Sequence, residues 1–251
     1  MGGVSLNHSL LTISGLKYDR RWMLVDVQNR FISQREFPEL CLFTITLSET
    51  YFTVTFKDDE INIPFAAENA STIEATIWDD TVRVIAANWF TNKWFSNKLY
   101  KEVKLVYQPL DSLRTIDAKS ANKDEVVSLA DGYPILVIGE PALNLLNEKV
   151  GFTIPVNQFR PNILFTGGES NDEDFWKCFI INKLLFKGVK PCARCVITTI
   201  NQQSGEKSLE PLRTLSTYRK VDNKIIFGQN VIGPSKGSIR VGDTINITSK
   251  V

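Results

Sequence analysis

Two short stretches hold the residue types that can do chemistry. Lys190-Pro191-Cys192-Ala193-Arg194-Cys195 runs into Val196-Ile197-Thr198-Thr199, and Asn157-Gln158-Phe159-Arg160-Pro161-Asn162 stands about thirty residues before it. Thiolate sulfur is both a soft metal ligand and a nucleophile, and a neighbouring guanidinium favours the thiolate form. The β-branched run from Val196 predicts a strand, with the thiol at its mouth. Pro161 steers Arg160 toward extended backbone, and on extended backbone Arg160 and Asn162 share a side. A cation, an amide and a thiolate lining one pocket suit an anionic ligand that carries a metal.

Other readings of Cys192-x-x-Cys195 stay open at this level. A structural zinc site needs four ligands, and the remaining candidates, Cys41, Cys178 and His8, form no second close pair. A thioredoxin-like pair sits at a helix N-terminus, whereas this one runs into β-branched residues. Two buried cysteines acting as small hydrophobes are the plain alternative.

The elements that must position these residues are mostly strands. Alternating or β-branched runs predict them at Trp22–Val27, Thr44–Phe56, Thr81–Ala86, Val103–Tyr107, Ile135–Ile138, Ile163–Thr166, Cys178–Phe186, Val196–Ile200, Lys224–Phe227 and Ser238–Val241. Phe90, Trp94, Phe95 and Leu99 recur at roughly helical spacing and predict a helix over Asn88–Tyr100 with those aromatics in the core. A second helix is expected from Pro141 to Val150 and a short third from Pro211. The polar, mixed-charge segment Gln108–Ser128 reads as an interdomain or site-covering loop.

Composition narrows the function classes. The chain has 251 residues, 43% hydrophobic and 23% charged, with a formal net charge of +1. Neither nucleic acid nor an acidic membrane is favoured electrostatically as a partner, and no apolar run approaches the roughly 18 residues of a membrane span. Four cysteines at these spacings give no disulfide framework, the N-terminus lacks the layout of a signal peptide, and a reducing cytoplasm is the expected location. No clustered cysteines for an iron–sulfur centre and no G-x-G-x-x-G fingerprint are present, so electrons for any redox step come from outside the chain.

A series of motifs in fixed order resembles the MOSC proteins preceded by their N-terminal MOSC-associated β domain. They are Gly15-Leu16-Lys17-Tyr18-Asp19-Arg20-Arg21-Trp22-Met23-Leu24-Val25, Phe31-Ile32-Ser33-Gln34-Arg35-Glu36, Asp131-Gly132-Tyr133-Pro134, Gln158-Phe159-Arg160-Pro161-Asn162-Ile163 and Pro191-Cys192-Ala193-Arg194-Cys195. Glu210-Pro211-Leu212-Arg213-Thr214-Leu215, Phe227-Gly228-Gln229-Asn230 and Gly237-Ser238-Ile239-Arg240-Val241-Gly242-Asp243 complete the set. The pattern resembles that of the mitochondrial amidoxime-reducing components and the bacterial hydroxylaminopurine reductases. The resemblance implies a mainly β chain with a few helices, a smaller N-terminal β domain over residues 1–105 packed with a MOSC β-barrel over 106–251.

It further implies a molybdenum-cofactor oxidoreductase acting on small N-oxygenated substrates such as N-hydroxylated bases, amidoximes or hydroxylamines. Cys195 would ligate molybdenum, Arg20, Arg160, Asn162 and Arg194 would bind the pterin, and Asp131 would be a catalytic proton donor or relay beside the metal. Arginine suits phosphate through its fork of donors. Cys192 is expected to pack, and no pyridoxal phosphate is expected. The electron donor would be a separate ferredoxin-, flavodoxin- or cytochrome-type protein with its reductase. Bland alternatives are a surface ion pair of Arg20 with Asp19 and a turn role for Asp131 before Gly132. At the level of function they are a cofactor carrier or sulfur-handling protein, and a cofactor-free binding module of the same fold. The family's first strand, with a Pro-x-Lys-Ser stretch whose lysine and serine help bind the cofactor phosphate, would end where Met1 stands. In-frame sequence upstream of Met1 is expected to encode it.

Overall fold

The structure, a computed structural model, describes residues 1–65, 71–116 and 125–251. Residues 117–124, in the middle of the loop expected over Gln108–Ser128, lie outside the described residues. The chain is mainly β with three α-helices among the described residues, and it divides into two compact units whose segments interleave. One holds Met1–Val4, Arg20–Arg114 and Gln202–Glu206; the other holds Ser5–Asp19, Thr115–Asn201 and Lys207–Val251.

In the first unit, Trp22–Val25, Lys104–Tyr107, Asp80–Ala86 and Thr72–Ile77 form a four-stranded sheet in that order. The run expected as one strand over Thr44–Phe56 is a hairpin of Thr44–Leu47 and Tyr51–Phe56, closed where the Ser48 N–H donates to the Tyr51 carbonyl, and extended by Asp59–Pro64. Leu24, Phe43, Phe52, Val54, Phe95 and Leu105 are buried in its core. The helix Trp89–Leu99 begins at an Asn88 cap, whose Oδ1 accepts from the Thr91 N–H at 2.9 Å, and ends at Tyr100 in the left-handed region. Its buried stripe is Thr91, Phe95 and Leu99, four residues apart. Phe90, expected in the core, is 75% exposed: five residues before Phe95, it falls on the flank of the helix.

In the second unit, Ile163–Phe165, Ile135–Gly139, Lys224–Ile232, Leu184–Ala193, Trp176–Ile181 and Ile245–Lys250 follow one another across a curled sheet. The expected run Cys178–Phe186 falls within two of these strands, joined by Asn182 and Lys183, both at positive φ, as a two-residue hairpin loop demands. The apolar run Ile135-Leu136-Val137-Ile138 is buried on both faces, as its unbroken hydrophobicity implies. Ile135 and Val137 pack with Trp176, Phe179 and Phe186; Leu136 and Ile138 pack with Phe159, Leu146, Leu215 and Phe227. The helix Glu140–Val150 covers this second face through Ala142, Leu143 and Leu146. A separate three-stranded sheet orders Gly237–Arg240, His8–Thr12 and Gly15–Leu16; the middle strand, His-Ser-Leu-Leu-Thr, is too short a pattern to stand out in the sequence.

Gly188 marks the tightest point of the large sheet. A Cβ there would lie 1.8 Å from the Trp176 carbonyl oxygen, at a bulge where pairing with Lys224–Ile232 shifts register. Gly188→Ala is expected to cost roughly 1–3 kcal/mol or more by forcing the strands apart. This is read as a lower urea midpoint at constant m-value. An unchanged midpoint would mean that the strand gives way without cost.

Candidate functional site

Phe159 sets one side of the site. It follows a turn of 3-10 helix over Val156–Gln158, is 1% exposed, and packs against Phe227 at 4.6 Å between ring centroids. The buried Gln158 side chain donates to the Thr198 carbonyl at 2.9 Å, which ties this turn to the one after Cys195. Arg160 is half-buried and, contrary to the extended backbone expected before Pro161, sits at φ +54. Its N–H closes on the Asn157 carbonyl at 3.2 Å, so the turn continues through it. A left-handed backbone at a residue with a long side chain costs about 1–2 kcal/mol. Flanking groups hold it there: Phe159 is fixed by burial, and Asn162 is stitched to the sheet.

Asn162 is stitched to its surroundings through both backbone and side chain. Its N–H donates to the Leu136 carbonyl at 2.8 Å, its Oδ1 accepts from the Leu136 N–H at 3.0 Å, and its Nδ2 donates to Asp19 Oδ2 at 2.8 Å. The side chain thereby prolongs the parallel pairing of Val137 with Ile163 by one rung. Asp19, the partner of Arg20 in the bland alternative, also accepts from an amide here.

Cys195 sets the other side. After Leu184–Ala193 the pairing persists for one more bond, from the Arg194 N–H to the Ile225 carbonyl at 2.7 Å. Cys195 is then extended and half-buried, and it caps a 3-10 turn, Val196–Thr199. The strand expected over Val196–Ile200 is therefore absent. Thr198 and Thr199 turn their hydroxyls back onto the carbonyls of Cys195 and Val196, at 2.9 and 2.8 Å, and this local bonding outcompetes β propensity.

Arg194 spans the two sides. Its guanidinium donates to the Phe159 carbonyl at 2.6 Å and to the Cys192 sulfur at 3.1 Å, and lies over the Phe159 ring. The arginine thus meets Cys192 directly, although Cys195 is its chain neighbour. Its Nε is buried without an acceptor, the kind of orphaned donor that marks a site for an anion.

The structure therefore ties Arg194 and the turn that follows Cys195 to the Gln158–Phe159 turn that leads into Arg160 and Asn162. Asp131 is exposed at the entry to the strand Ile135–Gly139, behind a Gly132-Tyr133-Pro134 turn. That turn is held by Gly15, at φ +107, where a Cβ would meet the Pro134 carbonyl oxygen at 2.8 Å. Arg20 belongs to the first unit. Gln158 was not singled out by sequence: it stands inside a quoted motif, and its bond to the Thr198 carbonyl joins positions 40 residues apart.

Among the described residues, no three His, Cys, Asp or Glu side chains converge as a metal site, so the ligand set of a closed structural zinc site is missing. The donor set instead fits a metal that brings most of its own ligands and takes one protein sulfur, together with an anion taken by guanidinium groups. No helix among the described residues is long and apolar enough to cross a membrane.

Comparison with known proteins agrees with the order of motifs. The MOSC domain family matches residues 124–246, and the MOSC N-terminal beta barrel domain family matches residues 1–102. Mitochondrial amidoxime-reducing component 1 of Mus musculus is 29% identical over 97% of this chain and 77% of its own length. The Xenopus laevis protein of the same name is 27% identical over 92% of this chain and 73% of its own. A molybdenum cofactor sulfurase of Oryza sativa subsp. japonica is 27% identical over 90% of this chain, which spans 30% of that larger protein. A solution structure from Bordetella bronchiseptica covers 40% of this chain and 86% of its own at 14% identity and a TM-score of 0.34, a likeness too slight to argue from. Two family matches in tandem, along nearly the whole sequence, identify the chain as a MOSC-domain protein preceded by a MOSC N-terminal β-barrel domain.

Proposed function

We propose that this protein is a molybdenum-cofactor oxidoreductase that reduces small N-oxygenated compounds with electrons from a separate electron-transfer protein. The observation that carries the reading is a half-buried thiol, Cys195, on a turn tied by Gln158 and Arg194 to the segment bearing Arg160 and Asn162. Amidoxime-reducing relatives matched over most of their own length support it. Cys195 would hold molybdenum, Arg160 and Arg194 would hold the pterin phosphate, and Asn162 would meet the pterin edge. When bound, the cofactor supplies two-electron chemistry for removing oxygen from an N–O group. The chain's part is then to bind, to orient and to deliver protons. Asp131, exposed on the segment that leads into the strand Ile135–Gly139, is suited to draw protons from solvent.

The test is to express the protein in a host that makes the cofactor, measure molybdenum and pterin per chain, and assay a hydroxylamine with a chemical reductant. Metal with turnover supports the reading. Metal without turnover on any N-oxygenated substrate favours the second reading, a cofactor carrier or sulfur-handling protein, for which the sulfurase match speaks. Neither metal nor pterin would leave a binding module of the same fold.

Arg160→Lys is expected to lower pterin content after gel filtration even though charge is kept, because an ammonium does not reproduce a two-pronged guanidinium contact. Arg160→Ala should lower it further. Unchanged content in both variants would assign Arg160 to the fold alone.

A further inference from the structure

The turn that carries Asp19 is built under strain. Tyr18 and Arg20, on either side of it, both have positive φ, at +68 and +49, as does Arg160 at +54 in the facing segment. Side-chain-bearing residues stay in this region only where their surroundings over-determine them. The Asp19 N–H donates to the Leu16 carbonyl at 3.0 Å, the Lys17 N–H donates to the Leu10 carbonyl at 2.8 Å, and Gly15 presses on Pro134. A side-chain bond from the turn to the sheet is the 2.8 Å contact from Asn162 Nδ2 to Asp19 Oδ2.

A primary amide is ambiguous by shape, since its oxygen and nitrogen ends differ little in size. Here its sense is forced. The Leu136 N–H needs an acceptor, which draws in Oδ1; the Asp19 carboxylate needs a donor, which draws in Nδ2. We propose that Asp19 is a positioning residue that fixes the sense of the Asn162 amide and clamps the strained Tyr18–Asp19 turn to the end of the Arg160 segment. It needs no contact with a ligand to do this. The clamp stands on the geometry alone; its consequence for ligand retention rests on the cofactor reading above.

The experiment compares Asp19→Asn, Asp19→Ala, Asn162→Asp and the exchange Asp19→Asn/Asn162→Asp. Two quantities are read: the thermal midpoint of pterin-free protein, and pterin per chain after gel filtration of protein from a cofactor-producing host. Asp19→Asn keeps an acceptor and should stay near wild type in both. Asp19→Ala should lower the midpoint and reduce retained pterin about fivefold, the size of one ordinary side-chain hydrogen bond. Asn162→Asp sets carboxylate against carboxylate and should be the least stable. The exchange restores one amide and one carboxylate, so its midpoint should recover. Its pterin content should not, because a carboxylate then stands at position 162 where an anionic ligand is held.

A wild-type midpoint for Asp19→Ala, or an exchange variant no more stable than Asn162→Asp, would overturn the clamp. Recovery of both midpoint and pterin in the exchange would overturn the positioning role and leave Asp19 a purely structural one. If wild-type protein held no pterin, the cofactor reading would fail while the midpoints still decided the clamp.

Discussion

Cys195→Ser should yield a folded protein with no molybdenum and no reductase turnover. The fold does not depend on the sulfur: Cys195 serves the structure through its carbonyl, which receives the Thr198 N–H and hydroxyl at 3.2 and 2.9 Å. Cys195 also precedes a 3-10 turn that has no side-chain cap, a position where serine is favoured. An unchanged thermal midpoint is therefore expected, and it separates loss of metal from loss of fold. A neutral hydroxyl is a poor substitute for a soft thiolate, so the metal should go. Cys192→Ser should cost far less, since its sulfur receives a guanidinium donor that is also held by the Phe159 carbonyl and otherwise meets the Ala193 carbonyl at 3.8 Å, contacts that a hydroxyl can also make. Equal loss from the two substitutions would point to a paired-cysteine role. Full molybdenum occupancy in Cys195→Ser would sink the assignment.

How far the sequence could be read differs from one element to the next. The strand Ile135–Gly139 and the helices Trp89–Leu99 and Glu140–Val150 were legible because an unbroken apolar run, helical apolar spacing and a proline in the first turn are local properties. The turn at Val196–Thr199 was not. Its β-branched residues favour a strand, and the two hydroxyls that override this preference act through bonds visible only once the chain turns. Arg160 failed for a related reason: the preference imposed by Pro161 is local, and the burial of Phe159 and the stitching of Asn162 outweigh it. The residue types at the candidate site could be named from motif order. The links between them, through Gln158, Arg194 and Asp19, join positions far apart in sequence and leave no periodic trace.

Arg219→Ala is expected to destabilise the second unit by about 3–5 kcal/mol at pH 8, the cost of stranding a buried charge. Arg219 pairs with Asp174, and only 13% and 9% of the two side chains are exposed. Asp174 stands next to Glu173, which is wholly buried and accepts the Gly139 N–H at 3.1 Å. Burial holds both carboxyl groups above their ordinary range; Arg219 opposes this at Asp174 through its hydrogen bond and charge, and the Asp174 charge pushes Glu173 up further. Such groups bind more protons folded than unfolded, so their share of stability is greatest below the unfolded carboxylate range. It falls as pH rises through the folded values. Removing Arg219 raises the Asp174 value again, which should make the deficit grow from acid to neutral pH and level off above it. Asp174→Asn placed in the Arg219→Ala background should recover much of the loss at pH 8 and little at pH 4, because the buried charge is gone only where it would have formed. A deficit equal at both pH values would mean that Arg219 acts through its 3.2 Å bond to the Ile226 carbonyl and its packing, with no contribution from charge.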